Sequence, residues 1–185
     1  AAPGDSVRRS IALLDARGNL APGQLGEVFF DLPEGLELSG GVGMHGGTGG
    51  VDVEVKKAGV YRVKVYFGLL EGTTNPMLAR ETAPRILWGD LQIHTGLSDG
   101  TGELEEVWRY ARDAAALDFA CITDHDRWGL LFLDEHPGMW EDMKRVAEER
   151  NEPGRFTAFL GFEWTNWIYG HRHVVYGGDD GALYR

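Results

Sequence analysis

The stretch GDLQIHTGLSD, residues 89–99, runs as a short strand into Gln92-x-His94 and then Asp99, and further on the chain reads ITDHD, residues 122–126. Polar groups gathered just past strand ends usually belong to a site set on a rigid scaffold. How these two runs are arranged decides the fold of the second half of the chain.

Outward from them, strand and helix patterns alternate. GELEEVWRYARDAAAL (102–117) places Leu104, Val107, Trp108, Ala111 and Ala115 on one helical stripe, with Thr101 as the cap and Glu103, Glu105 and Glu106 in the first turn. The strand DFACIT follows, then a second helix near 138–150 with Met139, Trp140, Met143 and Val146 on one face. RFTAFLGFEW and HRHVVYG read as a third and fourth strand. Such alternation predicts βαβ units and a parallel sheet, open or closed into a barrel, with the site at the carboxyl ends of its strands. Those ends carry Gln92, His94 and Asp99, then Asp124, His125 and Asp126, then Glu163, then His171 and His173. Four or more carboxylates and imidazoles at one end of one sheet need a neutralising positive charge. A divalent metal supplies it, and His plus carboxylate suits Zn, Mn or Fe.

Residues 1–80 read as all-β. VDVEVKKAGVYRVKVYF (51–67) alternates Val51, Val53 and Val55, then Tyr61, Val63, Val65 and Phe67, about a KKAG turn, which predicts a hairpin with one buried face. SVRRSIALLD and GEVFFDL add weaker strands, and a β-sandwich-like domain would cover these faces. Gly41-x-Gly43-x-x-Gly46 matches a dinucleotide loop in spacing only, because a strand rather than a helix follows it; His45 there is a loop histidine. Residues 71–85 read as a linker, placing the domains at 1–80 and 81–185.

The chain's 185 residues, 43% of them hydrophobic, are enough to bury a core, and no run of apolar residues is long enough to span a bilayer. A net charge of -11 argues against nucleic acid as a partner. Cys121, the only cysteine, excludes an intrachain disulfide. The AAPGD start resembles a mature chain after signal-peptide removal and so points to a periplasmic or secreted location, although a piece of a longer chain would begin the same way.

WGDLQIHTGLSDGTG, LDFACITDHD, LGFEW and GHRHVVY, in that order, resemble the motifs of the PHP (polymerase and histidinol phosphatase) superfamily, in particular a bacterial branch with an N-terminal β region related to carbaryl-hydrolase-like proteins. The resemblance implies an α/β fold, here the first half of a distorted (βα)7 barrel, with up to three divalent metals and hydrolysis by metal-activated water. By the same resemblance His94, Glu163 and the position of Gln92 hold a first metal, Glu163 bridges to a second held by His171, and Asp99 and His125 hold a third. Asp124 becomes an orienting acid, and His173 a substrate contact. Gln92 stands where the family has His, an amide oxygen being the weaker ligand. Trp164 and Trp167 either wall the pocket or pack in the core. The family's later ligands, a further His and an Asp-x-His, do not occur in this chain.

The expected function is therefore hydrolysis of a phosphoester, ester or carbamate bond in a small-molecule substrate. No Gly-x-Ser-x-Gly elbow, P-loop or HExxH occurs to suggest otherwise. A half barrel would need a second chain or self-association to complete it. The alternatives are a non-catalytic assembly protein and one subunit of a split enzyme.

Overall fold

The structure, a computed structural model, describes residues 1–39, 43–82, 84 and 86–184. The chain forms two units, Ala1–Ile86 and Leu87–Arg185, a division slightly beyond the expected one at residue 80.

The first unit is built of strands: β1 (Ser6–Ala12), β2 (Gly26–Glu27), β3 (Phe29–Asp31), β4 (Leu36–Leu38), β5 (Gly43–Met44), β6 (Thr48–Val55), β7 (Gly59–Tyr61), β8 (Lys64–Phe67), β9 (Leu70–Thr73) and β10 (Met77–Ala79). They pair antiparallel in small sheets ordered β1-β6-β4, β3-β8-β9, β10-β7 and β2-β5. The alternation in 51–67 does bury Val51, Val53, Val55, Tyr61 and Val63, around which Leu36, Met77 and Ala79 complete a core. Each large apolar side chain so enclosed contributes about 1.5–3 kcal/mol.

The expected hairpin does not form. Both edges of β6 are already taken, with Val53 opposite Val7 of β1 on one side and Leu38 of β4 on the other. The segment after the KKAG turn therefore pairs elsewhere, β7 with β10 and β8 with β3 and β9. The stretch read as a linker contains β10 and most of β9, while its residues 83 and 85 lie outside the described residues. Gly41 of the glycine-rich match also lies outside them, and the strand β6 follows that loop.

In the second unit β11 (Gly89–Ile93), β12 (Phe119–Ile122), β15 (Thr157–Trp164) and β16 (Arg172–Tyr176) form one sheet in that order. The first three run parallel and β16 runs antiparallel to β15. Helix α1 (Leu104–Arg109) starts two residues later than Thr101 would place it. Glu103 takes the cap position, and its N–H donates to Glu106 Oε2 at 3.4 Å. The helix loosens into a π-helical turn over Tyr110–Ala114 and stops where Ala116 takes a left-handed φ of 54°, which leaves Ala115 exposed. A two-stranded ribbon, β13 (Arg127–Trp128) with β14 (Leu131–Phe132), precedes helix α2 (Pro137–Arg150). Pro137 opens α2, where its missing N–H costs nothing. Trp140, Met143, Val146 and Ala147 of α2 bury against Trp108, Phe156 and Phe162.

The expectation of an α/β chain opening a (βα)7 barrel is overturned. The protein is mostly β, with 39% strand against 14% helix, and only two α-helices occur among the described residues. The first unit contributes strands alone, and β15 returns to β16 through a turn with no crossover helix. That turn, residues 165–171, is shorter than the dozen or so residues a parallel return needs. Among the described residues no helix is long and apolar enough to cross a membrane.

Candidate metal centre

Three strand ends deliver the polar residues to one place. His94 follows β11, His125 follows β12, and Glu163 lies next to last in β15, bridged to His125. Ligand atoms of His94, His125 and Glu163 all lie within 4.8 Å of one another. His125 and Glu163 are buried at 5% exposure each, so their polar atoms need partners within the site.

Glu163 is ringed by imidazoles. Its Oε2 lies 2.9 Å from His94 Nε2 and 3.0 Å from His173 Nε2, and its Oε1 lies 3.9 Å from His171 Nδ1. His173 reaches it because the antiparallel register sets the two directly opposite. The His171 Nδ1 atom is buried without a hydrogen-bond partner. An orphaned imidazole nitrogen facing a carboxylate oxygen beyond hydrogen-bond range is the donor set that a shared divalent cation satisfies. The residues therefore fit the metal expected from the sequence.

Asp99 closes the other side. His94 Nδ1 bonds Asp99 Oδ1, and His125 Nε2 stands 3.8 Å from the same oxygen. The bond from His94 holds the Asp99 carboxyl below its ordinary value, against a smaller opposing effect of burial. Burial depresses the His125 imidazole, with the nearby His94 and His171 acting in the same sense and Glu163 and Asp99 against it. His125 is thus kept neutral, the form that binds a metal.

Asp124 is fully buried and spends its oxygens on the loop that carries His94 and Asp99. Oδ1 accepts from Thr95 N at 2.8 Å and Ser98 Oγ at 2.5 Å, and Oδ2 accepts from Thr95 Oγ1 at 2.8 Å. Asp126 accepts from Thr165 N at 2.7 Å. Gly100 closes the same loop, and a Cβ there would collide with the His94 carbonyl oxygen.

Gln92 is exposed and sits where the first strand of the sheet is irregular. Between Asp90 and Ile93 the β11 register slips by one residue against β12, and the Gln92 N–H donates to Asp90 Oδ1 at 2.9 Å. Such a bulge locally disrupts the two-residue period of the strand just before His94. Sequence reasoning missed Trp128, whose ring stacks on His125 at 4.6 Å, and Thr165, whose hydroxyl lies 3.0 Å from His125 Nδ1. Trp167 lies 5.6 Å from Trp128 and 5.1 Å from His171 between ring centres, yet is 73% exposed. Trp164 is partly buried and packs against the core of the second unit.

Residues 132–183 match a family described as a protein of unknown function, DUF3604, a stretch covering α2, β15 and β16. The chain is 26% identical over 98 residues to an uncharacterized protein of Chlamydia pneumoniae, covering 52% of this chain and 15% of that protein. It is 30% identical over 87 residues to an uncharacterized protein of Chlamydia muridarum, covering 46% and 13%. The matched part is thus a small fraction of either relative's length. Domains 4 and 5 of the S-layer protein SbsC superpose with a TM-score of 0.34 at 19% identity, over 43% of this chain and 45% of that one, a likeness too slight to bear on fold or function.

Proposed function

We propose that the second unit carries the metal centre of a metal-dependent hydrolase of PHP type, acting on a phosphoester, ester or carbamate bond of a small molecule. The observation that carries this reading is the convergence of His94, His125 and Glu163 from three strand ends. Three of the four sequence motifs that resemble the PHP superfamily supply these same residues, and the fourth supplies His171 and His173.

His94, His125, Glu163, Asp99 and His171 would hold divalent cations, Zn, Mn or Fe. Such a cation supplies a Lewis acid and lowers the pKa of a water molecule it binds. Glu163 presents its two oxygens to different imidazoles and is suited to bridging. Asp124 holds the loop carrying His94 and Asp99, so neither must be ordered when substrate arrives. Trp128 stacks on one face of His125 and would shield that face of the imidazole. His173 meets Glu163 from the solvent side, where a substrate would touch it.

The test is metal content by elemental analysis of the full-length protein, together with turnover of aryl phosphate, ester and carbamate substrates. His125→Ala and Glu163→Ala should each lower bound metal and abolish turnover. Activity equal to wild type in both variants would end the assignment.

A further inference from the structure

Imidazole has two nitrogens, and a neutral histidine binds a cation only through the one that carries no proton. Among the described residues, the hydrogen-bond partner of His125 Nδ1 is the Thr165 hydroxyl, at 3.0 Å. That hydroxyl has one proton, and the Glu163 carbonyl oxygen lies 3.1 Å away in position to accept it. The same carbonyl also accepts from Asp126 N at 2.9 Å, which leaves its second lone pair for the Thr165 proton. With its proton directed to Glu163, the Thr165 oxygen can only accept from His125.

We infer that Thr165 is a positioning residue that fixes His125 as the Nδ1–H tautomer and aims its bare Nε2 at Asp99 and the candidate metal centre. The chain around it keeps Thr165 in place. Its N–H donates to Asp126 Oδ1 at 2.7 Å, it is only 8% exposed, and it directly follows the end of β15. Trp128, stacked 4.6 Å from the His125 ring and inclined by 18°, restrains rotation of the imidazole about its long axis. A ring flip would exchange Nδ1 with Cδ2 and Nε2 with Cε1, so that both the Thr165 hydroxyl and the centre would face carbons. Thr165 thus couples the conformation of Glu163, through its carbonyl, to the orientation of His125. The consequence for metal binding rests on the function proposed above, whereas the tautomer does not.

Histidine-selective 15N labelling of the metal-free full-length protein at pH 8 reads the tautomer directly from long-range 1H–15N couplings. Wild type and Thr165→Ser should both show His125 as the Nδ1–H form. Thr165→Val, which keeps the shape but offers no acceptor, should lose that signature and bind Zn2+ about 10–100-fold more weakly in calorimetric titration. If Thr165→Val does not fold, Thr165→Ala removes the same acceptor. An Nε2–H tautomer in wild type, or an unchanged tautomer and affinity in the valine and alanine variants, would overturn the inference. If the tautomer responds as stated while wild type binds no Zn2+, the metal-centre reading fails and the role of Thr165 stands.

Discussion

Glu163 and His173 face each other across the β15–β16 pair, with His173 Nε2 3.0 Å from Glu163 Oε2, so the last strand of the sheet brings an imidazole to a carboxylate that already meets His94. Glu163→Gln keeps the side-chain volume but replaces an acceptor with an N–H2 donor and removes the charge. Zn2+ affinity by calorimetry should fall at least ~10-fold. His173→Ala, which removes only the exposed neighbour, should cost less. Equal affinity in wild type and Glu163→Gln would remove Glu163 from the ligand set.

Gly100 is a steric requirement of the loop that holds His94. Gly100→Ala should disturb this loop and weaken metal binding while circular dichroism still reports a folded chain. Gly138 makes the contrast, since it lies in α2 with open space around a Cβ. Gly138→Ala should raise the unfolding free energy read from urea titration by up to ~1 kcal/mol and leave metal affinity unchanged.

Phe156 is 1% exposed and meets Trp108 edge-on at 6.0 Å in the core beneath the sheet. Phe156→Ala removes that ring and leaves a cavity. Urea unfolding should show a loss of about 3–5 kcal/mol.

The acid side of the stability profile follows from His125 and Asp99. The folded state holds His125 below its ordinary 6.5, facing His94, His171, Glu163 and Asp99, so below pH 6.5 the unfolded chain takes up a proton that the folded chain refuses. Its effect is a stability that falls as pH drops from 6.5 and levels off below the folded value. Asp99 is held below 3.8, and the stability it adds above that value is lost as pH falls through its folded value. The melting temperature of metal-free protein should therefore fall from pH 7 to pH 5, and His125→Gln should flatten that part of the curve. A flat wild-type profile over this range would contradict the burial-driven shift.

Cys121 is fully buried in β12, and burial pushes its thiol up to about 12. At pH 8 it should stay inert to a disulfide reagent in the native state and react on denaturation, with absorbance counting one thiol.

Residue types at strand ends made the donor set legible, because imidazole and carboxylate after successive strands carry chemistry whatever the topology. The path of the sheet was legible only in part. Seven residues between Trp164 and Arg172 already forbid a parallel crossover, a length signal that the alternating pattern obscured. The period in 51–67 told which valines are buried but not that β1 and β4 occupy both edges of β6, since partners distant in sequence leave no local mark. The bulge before His94 is a register slip against another strand, and it too is invisible in the run QIH. Thr165 and Trp128 act on His125 through contacts that only the fold creates.

His94 and Glu163 stand 69 positions apart, and His173 follows later still. On the ribosome the first imidazole emerges long before the carboxylate it serves. A nascent chain cannot assemble this donor set until β15 has docked beside β12, so under the proposed function cation capture would follow that docking. The ion would act as a late seal on strands already paired rather than as a nucleus around which they fold.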